Sequence, residues 1–284
     1  MPTARFSSGS CVMRCGWPDV VVMEPGVLKV AAALMDEHSR GVRFSCFAVR
    51  CGITDPAQAY AVQREYVRLQ MAARGVGAVG YKVGLTSKRM QAMCGIDSPV
   101  AGVVLQDRVH RSGVQLAASA YGRVGLEFEI AVRLGRDLRP DGRAITVAEV
   151  ADAVEAVCPA IEIVDDRAAD YGTLEALSLI ADNSWNAGIV LGAFRRKWPD
   201  LAAIEGVVSV HGEIVDRGFG RDVLGHPFHS VAWLATQLAT AGTALRAADI
   251  VMTGNLVTTK FPDRSAAYRF DLAGLGAVDL SISV

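Results

Sequence analysis

No stretch of this chain approaches the ~18 consecutive apolar residues that a membrane span needs. Its first 22 residues hold only a handful of apolar residues in a row, too few for a secretory signal. Neither a membrane nor export by such a signal is expected, which leaves the cytoplasm. Basic blocks are missing too. The 29 Lys and Arg residues balance 30 Asp and Glu, so the one-signed surface of a nucleic-acid binder is absent and a small-molecule partner is expected. The six cysteines, at positions 11, 15, 46, 51, 94 and 158, never form C-x-x-C. That argues against a paired-cysteine zinc site and for free thiols in a reducing cell, with Cys94 and Cys158 as small apolar fillers. No internal repeat and no linker rich in Pro, Ser or charge divides the chain. Residues 23–284 are expected to form one catalytic domain, helical over 23–75 and β-rich over 76–284, behind a disordered leader at 1–22. Lysine is scarce, five residues beside 24 arginines. A lysine in an apolar setting is therefore conspicuous, because a desolvated lysine can lose its proton and an arginine cannot.

The stretch Arg123 to Val132, RVGLEFEIAV, alternates with period two. As a strand it puts Glu127 and Glu129 on one face and Leu126, Phe128 and Ile130 on the other. Two carboxylates side by side raise each other's pKa unless a cation lies between them. A bound divalent metal is one explanation, and a solvent-facing edge strand is the other. CPAIEIVDDR supplies a second alternation, with Ile161 and Ile163 on one side and Glu162 on the other. Three carboxylates on two strands, with no histidine or cysteine at matching spacing, make an all-oxygen set that suits Mg²⁺ or Mn²⁺ better than zinc. Three protein oxygens also leave half an octahedron open for a bidentate ligand. Residues 76–87, VGAVGYKVGLTS, read as a glycine-punctuated strand running into a helix capped by Ser87. They deliver Lys82 near a strand end, as a catalytic amine or a snorkelling one.

Helical spacing predicts helices over Pro25 to Ser39, from Pro56 to about Arg74, from Thr146 to about Val157, from about Thr173, and from Pro227 to Gly242. Asp55 with Gln58, and Thr146 with Glu149, read as capping boxes. Hairpins are expected at His211-Gly212 and within YRFDLAGLGAVDLSI, and DIVMTGN reads as a buried strand ending at Gly254-Asn255. Asp165 and Asp166 read as loop charges, and Asp182 and Asn183 as an Asx turn. His38 and His211 are expected to be exposed, and Trp185 to line a pocket mouth or fill the core.

Taken in order, YKVGLTSKRMQ, LEFEIAV, PAIEIVDDR, IADNS, LGHP with AWLA, and IVMTGN resemble the fumarylacetoacetate hydrolase superfamily over roughly residues 27–284. Within it they resemble the branch of 2-keto-4-pentenoate hydratases and 4-oxalocrotonate decarboxylases. The resemblance implies an α+β fold: a mixed, largely antiparallel β-sandwich or roll with flanking helices and a helical N-terminal portion. It implies Glu127, Glu129 and Glu162 as ligands of Mg²⁺ or Mn²⁺ and Lys82 as the active-site lysine. Asp182 is the candidate for orienting water, and Leu85, Ser87 and Asn255 are candidates for substrate contact. It further implies a homo-oligomer and a complex with a pathway decarboxylase or hydratase. The implied activity is metal-dependent hydration of a 2-hydroxy-2,4-dienoate or 2-oxo-enoate, such as 2-keto-4-pentenoate in aromatic catabolism, to a 4-hydroxy-2-oxo acid. Two departures bear on it. Asn255 follows Gly254 where the family commonly has serine, and Pro99-Val100-Ala101-Gly102 stands where hydratases tend to read Pro-Asp-aromatic-Gly. The missing acid keeps a 4-oxalocrotonate-type decarboxylase as the alternative. A C–C bond hydrolase ranks lower, because only His110 remains of the His-Glu pair ahead of the E-x-E strand, and a degenerate scaffold partner ranks lower still.

Overall fold

The computed structural model describes residues 25–140 and 142–284, so the leader expected over residues 1–22 lies outside the described residues. Two helices lead, α1 (Pro25–Ser39) and α2 (Pro56–Arg74). The second starts where the Asp55 carboxylate accepts from the Gln58 backbone N–H at 2.9 Å, and it stops where Gly75 turns left-handed at φ 67°. That is the chemistry of an N-cap and of a C-terminal glycine. The Gln58 side chain reaches back to the Thr54 N–H at 2.8 Å, one residue short of the expected box partner.

The chain continues through β1 (Ala78–Gly84), α3 (Lys88–Met93), β2 (Val100–Leu105), β3 (Val109–Arg111), β4 (Val114–Ala117), β5 (Val124–Leu134), α4 (Val147–Ala153) and β6 (Val154–Asp165). It closes with α5 (Ala176–Ala181), β7 (Asn186–Leu191), β8 (Glu205–Val210), β9 (Glu213–Phe219), α6 (Pro227–Thr240), β10 (Ile250–Asn255), β11 (Ala266–Leu272) and β12 (Gly276–Ser283). Seven strands form one sheet in the order β2-β1-β10-β5-β6-β7-β3, and five form another in the order β4-β12-β11-β8-β9. The pairs β1 with β10, β3 with β7 and β4 with β12 run parallel, and the other pairs are antiparallel. This is the mixed, largely antiparallel arrangement expected.

The two faces of β5 set the layout. Leu126, Phe128, Ile130 and Val132 are fully buried. They point toward the five-stranded sheet, where Phe128 meets Phe270 edge-on with ring centroids 5.6 Å apart, the core of a sandwich. The opposite face packs Ala131, Cys158 and Ala160 with Val104, Ile189 and Met252. Around this face the seven-stranded sheet rolls up. Three strand spacings separate β1 from β6, about 14 Å on a flat sheet and more than two upright side chains bridge. Yet Lys82 Nζ on β1 lies 3.3 Å from Glu162 Oε1 on β6. The edge of the roll is tied by Asn183, whose side chain accepts from Val103 N–H at 2.7 Å and donates to Val103 C=O at 2.9 Å.

Two boundaries differ from expectation. The helix predicted to reach Val157 ends at Ala153, because from Val154 the chain pairs with β5 as far as Asp165, with one register shift at Glu155. The helix predicted from Thr173 starts at Ala176, behind a 3-10 turn over Tyr171–Thr173 that Asp170 caps. Cys94 and Cys158 are buried free thiols, as predicted. No helix of the described residues is long and apolar enough to cross a membrane.

Candidate metal centre and active site

On β5 and β6, Glu127 stands opposite Glu162 and Glu129 opposite Ala160, so the three carboxylates share the concave face of the roll. One oxygen from each lies within 4.8 Å of the others. Glu129 and Glu162 are completely buried, and Glu127 is half-buried. Each accepts a hydrogen bond that steers it. Gly254 N–H donates to Glu129 Oε2 at 2.8 Å, Asn186 Nδ2 to Glu162 Oε1 at 2.9 Å, and Thr259 Oγ1 to Glu127 Oε1 at 2.8 Å. Glu129 Oε1 and Glu162 Oε2 are buried with no partner among the described residues. A buried acceptor left bare costs ~1–3 kcal/mol. Two such atoms beside a third carboxylate, with oxygen the only donor type, fit a hard divalent cation.

The electrostatics agree with that fit. Burial, then the neighbouring Glu162 and Glu127, hold Glu129 well above the usual carboxylate range. Burial lifts Glu162 to about 7 against the pull of Lys82. Lys82 is 4% exposed, and burial alone would lower its pKa. The attraction of Glu162, Glu127 and Glu129 outweighs burial and raises it, so the amine stays charged. Glycine makes the room. A Cβ on Gly102 would stand 3.2 Å from Lys82 Cγ and 2.6 Å from the Asn183 carbonyl. Gly254, at φ 122°, packs its Cα against Thr86 and so aims its N–H at Glu129. Val100 is 1% exposed and lines the same spot: a Cβ on Gly84 would lie 3.2 Å from Lys82 Nζ and 3.4 Å from Val100 Cγ2.

The remaining predicted residues surround the cluster rather than join it. Asp182 is buried, and both its oxygens are taken, Oδ2 by Arg167 Nη2 at 2.7 Å and Oδ1 by His38 Nε2 at 2.6 Å. It anchors Asn183, Ser184 and Trp185, three successive residues at φ 51°, 47° and 59°, a turn that carries Asn186 onto Glu162. His38, expected to be exposed, is half-buried for the same reason. Asp166 is no loop charge: it is fully buried and binds Arg123 and Tyr171. Ser87 caps α3 through the Met90 N–H at 3.3 Å, and the Leu85 carbonyl accepts from Gln91 Nε2 at 2.9 Å. Asn255 Oδ1 accepts from Phe128 N–H at 2.9 Å, while its Nδ2 faces Thr259 Oγ1 at 3.4 Å. Trp185 is buried and lines a cavity of about 280 Å³ behind Asn186, which His38, Tyr66, Arg108 and Tyr121 also line. Asn186, Thr259, Arg167 and His38 escaped sequence reasoning. Each is a single polar residue whose partner lies far along the chain, and no local pattern marks such a pair.

The family described as fumarylacetoacetate (FAA) hydrolase C-terminal matches residues 83–280. The chain is 37% identical over 253 residues to 2-keto-4-pentenoate hydratase 1 of Dechloromonas aromatica, covering 87% of this chain and 94% of that protein. It is 33% identical over 227 residues to 2-oxo-hept-4-ene-1,7-dioate hydratase of Escherichia coli, covering 78% of this chain and 84% of that protein. Among solved structures, 4-oxalocrotonate decarboxylase from Pseudomonas putida G7, complexed with magnesium and adipate, superposes with a TM-score of 0.84 at 28% identity, over 90% of this chain and 97% of that one. On the matched span, the shared fold and the relatives' coverage, this chain belongs to the fumarylacetoacetate hydrolase family.

Proposed function

We propose that this chain is a divalent-metal-dependent hydratase, a carbon–oxygen lyase acting on a 2-hydroxy-2,4-dienoate or its 2-oxo-enoate tautomer, such as 2-keto-4-pentenoate, in aromatic catabolism. The observation that carries this reading is the buried cluster of Glu127, Glu129 and Glu162, with two bare oxygens and a charged Lys82 against them. Those glutamates would hold the ion, Mg²⁺ or else Mn²⁺, as befits oxygen ligands. A bound ion supplies Lewis-acid polarisation of a chelated 2-oxo acid. Lys82 Nζ offsets the negative charge that grows on the 2-oxygen and exchanges a proton as dienol converts to enone. The enone then takes the oxygen of water at C4 and a proton at C3, giving the 4-hydroxy-2-oxo acid. Leu85 to Ser87, at the end of the strand that bears Lys82, and Asn255, braced on Thr259, are assigned to the substrate's carboxylate end. Asp182 acts at one remove, by fixing the turn that delivers Asn186.

Val100 favours a second reading, decarboxylation of the 4-oxalocrotonate type. An apolar side chain sits beside Lys82 where an acid would handle water. Decarboxylation needs no such acid, since the C–CO₂ bond breaks and its electron pair flows through the conjugated chain toward the 2-oxygen. The two readings separate in one assay. Loss of the 2-hydroxypentadienoate chromophore with Mg²⁺ present supports hydration, and carbon dioxide release from 4-oxalocrotonate supports decarboxylation. If neither signal appears, both readings fail. Residues 25–284 are assigned to one catalytic unit, because His38 on α1 braces Asp182. The free thiols among the described residues support a cytoplasmic setting. Exposed Ile214 and Val215 on the edge strand β9 support a homo-oligomer or a pathway complex.

A further inference from the structure

We propose that Arg123, Phe261 and Tyr171 form the subsite for the far end of the substrate, and that the preferred substrate is a 2-oxo-enedioate whose second carboxylate binds Arg123. The proposal rests on the metal-site reading above and adds the substrate class. Period two along β5 puts Gly125, Glu127 and Glu129 on one face, and Arg123, one residue ahead of the strand, continues that alternation at the rim. The bridge between Leu126 and Lys260 sets Thr259 beside Glu127 and Phe261 beside Gly125. Gly125 leaves the space for the ring, since a Cβ there would stand 3.0 Å from Phe261 Cε1. Phe261 is 40% exposed and so floors the path from the carboxylates to Arg123. Arg123 Cζ lies 4.9 Å from the Phe261 ring centre and 5.8 Å from that of Tyr171, and the two rings are 6.4 Å apart. The Cα atoms of Glu127 and Arg123 are four strand residues apart, about 13 Å, and their side chains shorten that to the reach of a chain of about six or seven carbons.

Arg123 is oriented without being used up. Its Nε and Nη2 grip Asp166 side-on, and Nη2 also donates to the Ala169 carbonyl at 3.0 Å. Nη1 makes no hydrogen bond among the described residues, and the side chain is 39% exposed. Asp166 in turn divides its charge among Arg123, the Tyr171 hydroxyl at 3.1 Å and the Ala168 N–H at 3.0 Å. A guanidinium pinned on one side, with its other amino group facing the rim, takes a second carboxylate through charge-assisted hydrogen bonds. The flat unsaturated chain lies on the aromatic floor.

Calorimetry of the Mg²⁺-loaded protein with 2-oxoadipate and 2-oxohexanoate, which differ only in the far carboxylate, tests this. The diacid is expected to bind at least about tenfold tighter. Arg123→Gln should bring that ratio near one, and Phe261→Ala should weaken both acids a few-fold. Arg123→Lys leaves buried Asp166 a cation if the Gln variant does not fold, and it too should shrink the ratio, because an ammonium cannot serve two carboxylates from a planar fork. Equal affinities in the wild-type protein, or a preference that survives the Arg123 variants, overturns the subsite and leaves the metal site standing. If neither acid nor oxalate binds with Mg²⁺ present, the subsite and the metal reading fall together.

Discussion

Glu162, together with Glu129, carries the pH dependence of the centre. Burial holds the Glu162 carboxyl at about 7 in the metal-free fold, against an ordinary 4.5. Between those values the folded chain keeps a proton that the unfolded chain has released. The stability this group contributes is therefore greatest at the acid end and is lost as pH rises toward about 7. A cation has to displace that proton and the one that burial holds on Glu129, so affinity for Mg²⁺ should climb as pH rises through about 7. Titrations in buffers of differing ionisation enthalpy are expected to show proton release on binding below that point, and a pH-independent affinity without release would refute it. Lys82 separates binding from chemistry. Lys82→Met removes a charge that repels the incoming cation, so Mg²⁺ affinity should hold or improve while turnover falls at least about 100-fold. A loss of metal affinity instead would make Lys82 a support of the ligand set. At this scale the carboxylates were legible, because alternation assigns a face to Glu127, Glu129 and Glu162 from their neighbours alone. Asn186 and Thr259 were not, since nothing in their surroundings records that they end beside Glu162 and Glu127.

Among elements, α2 shows local chemistry winning. Its start at Asp55 and its stop at Gly75 are written in side chains a few residues apart, and the helix has those ends. Asp55→Ala is expected to cost about 1 kcal/mol, read as a lower denaturant midpoint, without altering Mg²⁺ affinity. A change in metal affinity would mean that the helix start shapes the site. The junction of α4 and β6 shows local chemistry losing. Thr146 and Glu149 do form their capping box, and the apolar spacing beyond them suits a helix as far as Val157. The chain leaves the helix at Ala153 because Val154 to Asp165 pair along the whole of β5, and β-branched Val154, Val157 and Ile161 favour the extended form. A propensity of a few tenths of a kcal/mol per residue cannot hold a helix against a ladder of that length.

On the scale of the whole molecule, the metal is expected to act as a tie between strands, since Glu127 and Glu129 come from β5 and Glu162 from β6. Mg²⁺ at about 100 times its dissociation constant should raise unfolding free energy by about 2.7 kcal/mol, seen as a higher melting temperature that EDTA reverses. Glu127→Gln should abolish most of that rise, and a full rise in that variant would remove Glu127 from the ligand set. What the chain fixed by itself was the set of faces and ends: which residues of β5 and β6 share a side, where α2 is capped and α6 begins, and that three acids stand on two strands with no histidine or cysteine at matching spacing. Those follow from backbone geometry, because a period of two or of 3.6 is a property of a few neighbouring residues. Only the folded molecule decided that the seven-stranded sheet rolls far enough to bring Lys82 against Glu162 across its hollow. It likewise decided that Arg167 and His38 lock Asp182. Curvature depends on how much volume each face of a sheet must enclose, and that sum runs over side chains from β1, β2, β5, β6, β7 and β10 at once.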